Sequence, residues 1–295
     1  MAFLQSGDKV GFISPSCGLQ NKDLSHSIQY LNSLGLEVVL SKTLNNEYRY
    51  MAGTDEQRAN SINEMYQDKS IKALFCIRGG AGSLRLLDYL DYNLIKSNPK
   101  PIIGLSDSTA LQNALIAKTK QPSFTGFLPL YDFKTPTIDP TISSSLKSSL
   151  FEDKHQIISG TSLNEGTTQG KIIGGCLSVF LQLCGTPYFP SLKDKILLLE
   201  DIDEKTYRID LMLNQLKKQK DFNQLKGIII GQFTDSIIVS PEDGTPEDCI
   251  KDFTKDLQIP IITDFQYGHI PSRHIIPLGI DVTLTSSKDK CLISW

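Results

Sequence analysis

The chain has 295 residues, 40% of them hydrophobic and 21% charged, so it is long and apolar enough to bury the core of two domains or of one large α/β domain. Its formal net charge is −3, from 30 basic and 33 acidic side chains. This balance excludes the domain-wide basic excess that neutralises a phosphate backbone, and we expect no nucleic-acid partner.

The cysteines and the apolar segments favour a cytoplasmic location. Six cysteines are scattered along the chain without a C-x-x-C pair, which favours reduced thiols in a cytoplasmic protein over a disulfide framework. The first 18 residues lack the basic segment and following apolar run of a signal peptide. The most apolar stretch, 172–184, is short and broken by Gly174 and Gly175. We therefore expect no membrane partner.

The first half of the chain alternates short apolar runs with helical patterns. Strands are predicted at 10–14, 36–40, 71–77 and 101–105, and helices at 22–34, 54–67, 83–90 and 107–118. Thr54, with Gln57 three residues later, fits a helix capping box. The alternation predicts βαβ units and a mainly parallel sheet with helices on both faces, which is an α/β/α domain.

Composition changes at 134–170, which is rich in Ser, Thr, Pro, Lys and Gly and shows no long periodic segment. We place a linker at 141–165, between an N-terminal domain, 1–140, and a C-terminal domain, 166–295. The second domain has a mixed β and α pattern. Its strands are predicted at 171–175, 195–200, 227–233, 282–285 and 291–295. Its helix is predicted at 206–219.

Ser106 lies between a predicted strand and a predicted helix. A serine on a sharp strand-to-helix turn exposes its hydroxyl at the carboxyl edge of a sheet, beside the free N–H groups of the helix N-terminus. The hydrolase form of this turn would have glycine at position 108, where this chain has Ser108. From this segment alone, a serine that caps the helix is the favoured interpretation.

A glycine-rich loop, RGGAG at 78–82, follows another predicted strand. Its glycines would let the backbone approach a ligand at the carboxyl edge of the sheet. The loop matches neither G-x-G-x-x-G nor a P-loop, so nucleotide binding is not indicated. A tight turn without a ligand is about as compatible with the segment.

Glu200 and two histidines are the remaining candidates. Glu200 ends an apolar strand and opens an acidic run, 200–204, which is typical of a solvated loop or a cation site but lacks EF-hand spacing. His26 and His155 fit surface positions. His269 and His274 lie in a loop with Gly and Pro, where catalytic groups are common. They could also ligate a metal, but no third ligand follows at a recognisable spacing.

Taken together, nine segments resemble the L,D-carboxypeptidase family of serine peptidases, the muramoyltetrapeptide carboxypeptidases, whose framework the microcin-immunity peptidases share. They occur in the family's order over nearly the whole chain. The segments are MAGTDEQR (51–58), RGGAG (78–82), IGLSD (103–107), GG (174–175), GTPY (185–188), LED (199–201), YR (207–208), GH (268–269) and PLG (277–279).

The resemblance implies an α/β N-terminal domain and a smaller, β-rich C-terminal α/β domain. It also implies a catalytic triad in which Ser106 is the nucleophile, His269 the general base and Glu200 its orienting carboxylate. His274 does not match the Gly-His position and ranks second. The resemblance implies a homodimer, and it implies neither a metal nor an organic cofactor.

The resemblance assigns further site residues. The oxyanion hole would consist of the N–H groups of Gly80 and Asp107, and Arg78, Gly79 and Cys176 would contact the substrate. The chain departs from the pattern at three places. Where many members have Asn, this chain has Cys176, and where many have His-Gly-Pro, it has Thr125-Gly126-Phe127. At a third position, which is often basic in the family, it has Leu211. These departures bear on substrate preference.

The implied reaction is hydrolysis of the amide before a terminal D-amino acid, typically D-alanine on a murein tetrapeptide, in peptidoglycan recycling. The partner would then be a small murein peptide. One alternative is a microcin-immunity-type peptidase or amidase acting on peptide–nucleotide conjugates. A second is a non-catalytic binding protein on the same scaffold. Retention of Ser106, Glu200 and His269 argues against the second.

Overall fold

The computed structural model describes residues 2–133, 135–152 and 155–295. The chain folds into two units. Unit 1 contains Met1–His155 and Pro271–Gly279, and unit 2 contains Gln156–Ile270 and Ile280–Trp295. The chain thus leaves unit 1 after residue 155, returns for nine residues, and leaves again after residue 279.

The secondary structure elements are named in chain order. The strands are β1 (Lys9–Ile13), β2 (Glu37–Leu40), β3 (Ile71–Cys76), β4 (Ile102–Gly104), β5 (Ser123–Thr125), β6 (Gln156–Ile158), β7 (Thr161–Asn164), β8 (Gly166–Cys176), β9 (Lys195–Ile202), β10 (Gly227–Thr234), β11 (Ile261–Thr263), β12 (Ile276–Leu278), β13 (Asp281–Ser286) and β14 (Cys291–Ser294). The α-helices are α1 (Ser25–Ser33), α2 (Asp55–Gln67), α3 (Tyr92–Ser97), α4 (Ser108–Thr119), α5 (Pro129–Asp132), α6 (Pro140–Phe151), α7 (Leu177–Leu181), α8 (Thr206–Lys217) and α9 (Pro246–Thr254). Short 3₁₀ helices cover Ser83–Tyr89, Phe222–Gln224 and Pro241–Asp243. Within the described ranges, no helix has the length and apolar character needed to cross a membrane.

Unit 1 is built on a sheet with the strand order β12-β5-β4-β3-β1-β2. The pairs from β2 to β5 are parallel, and β12 joins the edge antiparallel to β5. The chain runs from β1 outward to β2 and then crosses to β3 on the other side of β1. Ligands of open α/β sheets bind at such a switch point, beyond the carboxyl ends of the strands. The predicted α/β class and mainly parallel sheet are confirmed.

Local signals account for individual elements of unit 1. The Oγ1 of Thr54 accepts from the N–H of Gln57 at 3.2 Å, and the Gln57 side chain accepts from the N–H of Thr54 at 2.9 Å. This reciprocal pair is the predicted capping box, and α2 begins there. The segment predicted as a helix at 83–90 is a 3₁₀ helix, Ser83–Tyr89.

Unit 2 is the smaller unit and is β-rich, as predicted. Its sheet has the order β6-β14-β13-β8-β9-β10-β11-β7. The central strands β8, β9, β10 and β11 are parallel, and the flanking pairs are antiparallel. Ile196, Leu197, Leu198 and Leu199 of β9 are fully buried, which explains their continuous apolar run.

The predicted linker, 141–165, contains regular structure, although its residues Asp153 and Lys154 lie outside the described residues. It holds most of α6 and the strands β6 and β7. Asp139 caps α6 by accepting from the N–H groups of Thr141 and Ile142 at 2.9 and 3.2 Å. Part of the segment that composition predicts to be a linker is therefore a capped helix.

The reason is that α6 buries serines as well as apolar residues. Ser145 Oγ accepts from the N–H of Ile275 at 2.8 Å, and Ser149 Oγ donates to the Ile275 carbonyl at 3.3 Å. Ser148 Oγ donates to the carbonyl of Ser144 at 2.8 Å. The partner of two of these serines is distant in sequence, so periodicity alone gives no sign that they are buried.

Candidate active site

Ser106 occupies a left-handed backbone conformation at the turn from β4 to α4. Its φ is +66°, a region where a non-glycine residue is strained. It is the one partly exposed residue in the otherwise buried run 100–116. The N-cap of α4 is Asp107, and no side chain makes a capping hydrogen bond there. Ser106 therefore does not cap the helix, and the turn brings its side chain to the edge of the sheet.

The glycine loop that follows β3 lies against this serine. A Cβ on Gly79 would stand 2.8 Å from Cβ and 2.9 Å from Oγ of Ser106, and a Cβ on Gly80 would collide with Sγ of Cys17. Gly80 also has φ +121°, which side chains rarely tolerate. Close packing and backbone conformation therefore both require glycine here. A role of the Gly80 N–H in an oxyanion hole remains a prediction.

Asp107 joins the three loops that follow β1, β3 and β4. Its buried Oδ2 accepts from Ser16 Oγ and from the N–H of Ser83, the latter at 2.8 Å, and Ser83 Oγ donates to the Asp107 carbonyl. Burial raises the pKa of the Asp107 carboxyl, while these hydrogen bonds and nearby Arg58 oppose the rise. The sequence suggested only the Asp107 N–H as functional, and its side chain is a positioning group.

Arg58 is a second positioning group that the sequence did not reveal. It is buried on α2, pairs with Asp55, and donates from Nη1 to the carbonyls of Pro15 and Gly82. The Gly82 contact is 2.9 Å long. The guanidinium thus fastens the loop after β1 to the glycine loop. Its place in the segment at 51–58 was a signal, but nothing local identified its partners.

Glu200 and His269 form a close pair in unit 2. Nδ1 of His269 lies 2.8 Å from Oε2 of Glu200, whose side chain is fully buried, whereas 11% of the His269 side chain is exposed. A carboxylate at this distance holds the ring proton on Nδ1, so Nε2 is the nitrogen suited to accept a proton. Among the described residues, the buried Oε1 of Glu200 has no hydrogen-bond partner.

A bulge in β10 positions the His269 loop. The register between β9 and β10 shifts between Ile230 and Phe233, and the N–H of Gln232 donates to the Tyr267 carbonyl at 2.9 Å. A Cβ on Gly231 would stand only 2.5 Å from that carbonyl oxygen. Glycine at this position lets the loop approach the strand closely.

Gly268 completes the arrangement. Its φ is +125°, and a Cβ there would stand 3.0 Å from Oε2 of Glu200. Position 268 therefore accepts only glycine without strain. His274 lies in unit 1, and the residue that pairs with Glu200 is His269. A catalytic role of this pair remains a prediction.

Cys176 is the partner of Glu200 in the β8–β9 register, and it lies at the N-cap of α7. Its thiol contacts Asp201 Oδ1 at 3.3 Å, and Asp201 also accepts from the N–H of Ser178 at 2.7 Å. Burial, with the charges of Glu200 and Asp201, raises the pKa of the Cys176 thiol well above its ordinary range. Cys176 is therefore a neutral, buried thiol that contacts Asp201.

The remaining sequence-predicted positions differ in exposure and in the element that carries them. Arg78 is partly exposed in the loop after β3, Thr125 is buried in β5, and Leu211 is 62% exposed on α8. The acidic run is not a cluster, because Glu204 pairs with Arg208 at 2.8 Å. In the part of the chain that the structure describes, no group of three or more His, Cys, Asp or Glu side chains could hold a metal ion.

The electrostatic arrangement suits acyl transfer. The strained Ser106 turn stands at a helix N-terminus, where unpaired N–H groups and the helix dipole favour negative charge. The Glu200–His269 pair supplies a proton acceptor whose tautomer is fixed by a buried carboxylate. Serine hydrolases use groups of both kinds; in this chain Ser106 lies in unit 1 and the Glu200–His269 pair in unit 2.

Comparison with known proteins gives two matching family models. One, described as the LD-carboxypeptidase N-terminal domain, matches residues 10–126. The other, described as the LD-carboxypeptidase C-terminal domain, matches residues 169–284. A curated relative, the probable murein peptide carboxypeptidase of Bacillus subtilis, is 32% identical over 98% of this chain and 92% of its own length.

Two solved structures are similar over nearly their whole length. An MccF-like protein from Bacillus anthracis has a TM-score of 0.88 and 30% identity, with 99% of this chain and 97% of that one covered. A muramoyltetrapeptide carboxypeptidase from Oxalobacter formigenes has a TM-score of 0.89 and 25% identity, with 97% and 98% covered. Both support the two-unit α/β fold described above.

Proposed function

The chain belongs to the LD-carboxypeptidase family, and from this premise we propose that it is a serine carboxypeptidase acting on murein tetrapeptides. It would hydrolyse the amide before a terminal D-amino acid, typically D-alanine. Peptidase activity follows from the family. The choice of murein peptides is supported by the names of the Bacillus and Oxalobacter proteins.

The observation that carries the serine mechanism is the conformation of Ser106. Ser106 is a strained, partly exposed serine in a buried run, and strained backbone conformations cluster at active sites. Gly79 packs so closely against the serine that a Cβ at this position would stand 2.9 Å from Ser106 Oγ.

In the proposed mechanism, Oγ of Ser106 attacks the scissile carbonyl carbon while its proton passes to Nε2 of His269. Glu200 holds the Nδ1–H and stabilises the imidazolium. The N–H groups of Gly80 and Asp107 donate to the oxyanion. The intermediate collapses as His269 gives the proton to the leaving amine, and D-alanine departs. Water then hydrolyses the acyl-enzyme by the same proton route.

Further elements of the proposal come from the family resemblance. Cys176, beside Glu200, would border the substrate, and the reaction would need neither metal nor organic cofactor. The protein would act as a homodimer in the cytoplasm, in peptidoglycan recycling. The competing candidate is cleavage of peptide–nucleotide conjugates, which the 30% identity with an MccF-like protein supports.

The test is incubation of the purified protein with murein tetrapeptide and, separately, with a peptidyl-nucleotide, followed by mass spectrometry. We expect release of D-alanine from the tetrapeptide. Ser106→Ala should lower kcat by on the order of 10⁶. Ser97→Ala, an exposed serine on α3, is the matched control and should leave kcat unchanged.

The outcomes separate the candidates. Cleavage of the nucleotide conjugate alone would replace the murein substrate with the microcin-type one. A folded Ser106→Ala variant with near-normal turnover would end the serine mechanism for either substrate.

A further inference from the structure

Arg78 is a partly buried cation without an acidic partner. Among the described residues, the arginines that pair with carboxylates are Arg58, Arg85, Arg208 and Arg273. Arg78 instead donates to two neutral acceptors, the Gly18 carbonyl at 3.2 Å and Oε1 of Gln20 at 2.8 Å. A guanidinium that is partly removed from water with no counter-ion favours an incoming anion.

The hydrogen bonds of Arg78 leave one edge of its guanidinium for a ligand. Both are donated by Nη1, to the loop after β1. Within the described part of the chain, Nε and Nη2 have no partner. That edge presents two parallel N–H donors, whose spacing matches the two oxygens of a carboxylate. The contacts to Gly18 and Gln20 hold the guanidinium in place before a ligand arrives.

The position of Arg78 relates this edge to the nucleophile. Arg78 directly precedes Gly79, where a Cβ would stand 2.9 Å from Oγ of Ser106. Its side chain rests on the loop after β1, so it lies at the switch point between β1 and β3. The backbone that carries Arg78 therefore continues directly into the glycine that packs against Ser106.

We propose that Arg78 binds the terminal carboxylate of the substrate side-on through Nε and Nη2, and so restricts the enzyme to the last amide of a peptide. This inference rests on the proposed function. In a carboxypeptidase substrate, only the nitrogen and Cα of one residue separate the scissile carbonyl from the carboxylate. The cation that recognises it must therefore stand close to the nucleophile, and Arg78 directly precedes the glycine that packs against Ser106.

The test compares a murein tetrapeptide that ends in D-alanine with the same peptide ending in D-alaninamide. Arg78→Gln should lower kcat/KM for the free acid by about 10- to 100-fold, the equivalent of charge-assisted hydrogen bonds. It should leave kcat/KM for the amide within about twofold of wild type, since that substrate already lacks the charge. Arg78→Lys, which keeps the charge without the two-pronged edge, should fall between.

Arg49→Gln is the matched control, because Arg49 is exposed and contacts no carboxylate within the described residues. Arg49→Gln should leave kcat/KM unchanged for both the free acid and the amide. An equal loss on both substrates in Arg78→Gln would show that Arg78 only fastens the loop after β1. No loss on either would show that the carboxylate binds elsewhere. Either result overturns the inference.

Equilibrium binding separates this inference from the proposed function. In a Ser106→Ala background, calorimetry should show tighter binding of the acid than of the amide, and Arg78→Gln should remove that difference. If the wild type cleaves neither peptide but binding still depends on Arg78, the carboxylate site stands and the proposed function fails. If the acid and the amide bind equally, or neither binds, the inference fails as well.

Discussion

At the scale of single residues, the pairing of His269 with Glu200 distinguishes two histidines that are five positions apart in the sequence. His269 lies 2.8 Å from a fully buried carboxylate in unit 2. His274 belongs to unit 1, where burial lowers its pKa and nearby His155 lowers it further. A general base needs a partner that fixes its tautomer, and the structure gives that partner to His269.

We therefore expect His269→Ala to be nearly inactive and His274→Ala to keep most of its kcat. Removing the general base of a serine triad costs on the order of 10⁶ in kcat, since proton transfer from the serine is lost. D-alanine release from murein tetrapeptide measures both variants.

Circular dichroism of both variants is the control for folding. An inactive His274→Ala together with an active His269→Ala would contradict the assignment of the base. It would also mean that the Glu200–His269 pair has a structural role only.

At the scale of elements, the segment Pro271–Gly279 fastens a late part of the chain into the first sheet. Its strand β12 pairs with β5, and Arg273 forms a buried ion pair with Asp132 and donates to the Gly126 carbonyl at 2.8 Å. Burial raises the pKa of Asp132, and the Arg273 charge opposes the rise. The pair therefore holds the element that directly follows the His269 loop in sequence.

We expect Arg273→Met to destabilise the protein by about 3–5 kcal/mol, because it leaves the carboxylate of Asp132 buried without a counter-ion. Urea denaturation measures the free energy of unfolding. The double variant Arg273→Met with Asp132→Leu should recover much of that loss, since it leaves no buried charge.

Lys171→Met is the matched control, because Lys171 and Asp281 form an exposed pair, 41% and 80% accessible. Its effect should stay within about 0.5 kcal/mol. A small effect of Arg273→Met would instead show that water solvates the Asp132 carboxylate when the guanidinium is removed.

At the scale of the whole molecule, the stability of the fold depends on pH through two sets of buried groups, aspartates and histidines, which act in opposite directions. Burial raises the pKa of Asp107 and Asp201, so their contribution is present at acid pH and is lost as the pH rises through the native values. Burial lowers the pKa of His155 and His274 below the ordinary 6.5. Their contribution is complete above 6.5 and is lost as the pH falls, since the unfolded chain then binds more protons.

The prediction concerns the histidines. Relative to wild type, His274→Asn should gain stability progressively as the pH falls from 8 to 5, because the variant no longer takes up that proton on unfolding. Urea midpoints at each pH measure the difference, in which the unchanged aspartates cancel.

A His274→Asn profile parallel to wild type would show that His274 takes up no extra proton on unfolding. The acid sensitivity would then have another source.

The sequence by itself determined the local features of this protein. Apolar runs and helical periods located most strands and four of the nine α-helices among the described residues, and Thr54 with Gln57 located the start of α2. Ser106 between a strand and a helix, and the glycines at 79 and 80, indicated candidate positions at the sheet edge, whose role remains a prediction. These features are readable because burial on one strand or one helix face leaves a periodic trace, and because special backbone conformations require particular residues.

Tertiary structure alone decided which distant groups meet. Two serines of α6 bond to residue 275, and β12 joins a sheet whose other strands lie far earlier in the chain. Asp107 and Arg58 became positioning groups only when three loops converged, and Glu200 met His269 through the approach of a loop to Gly231. Such contacts depend on strand order and loop closure, which no local pattern of residues encodes.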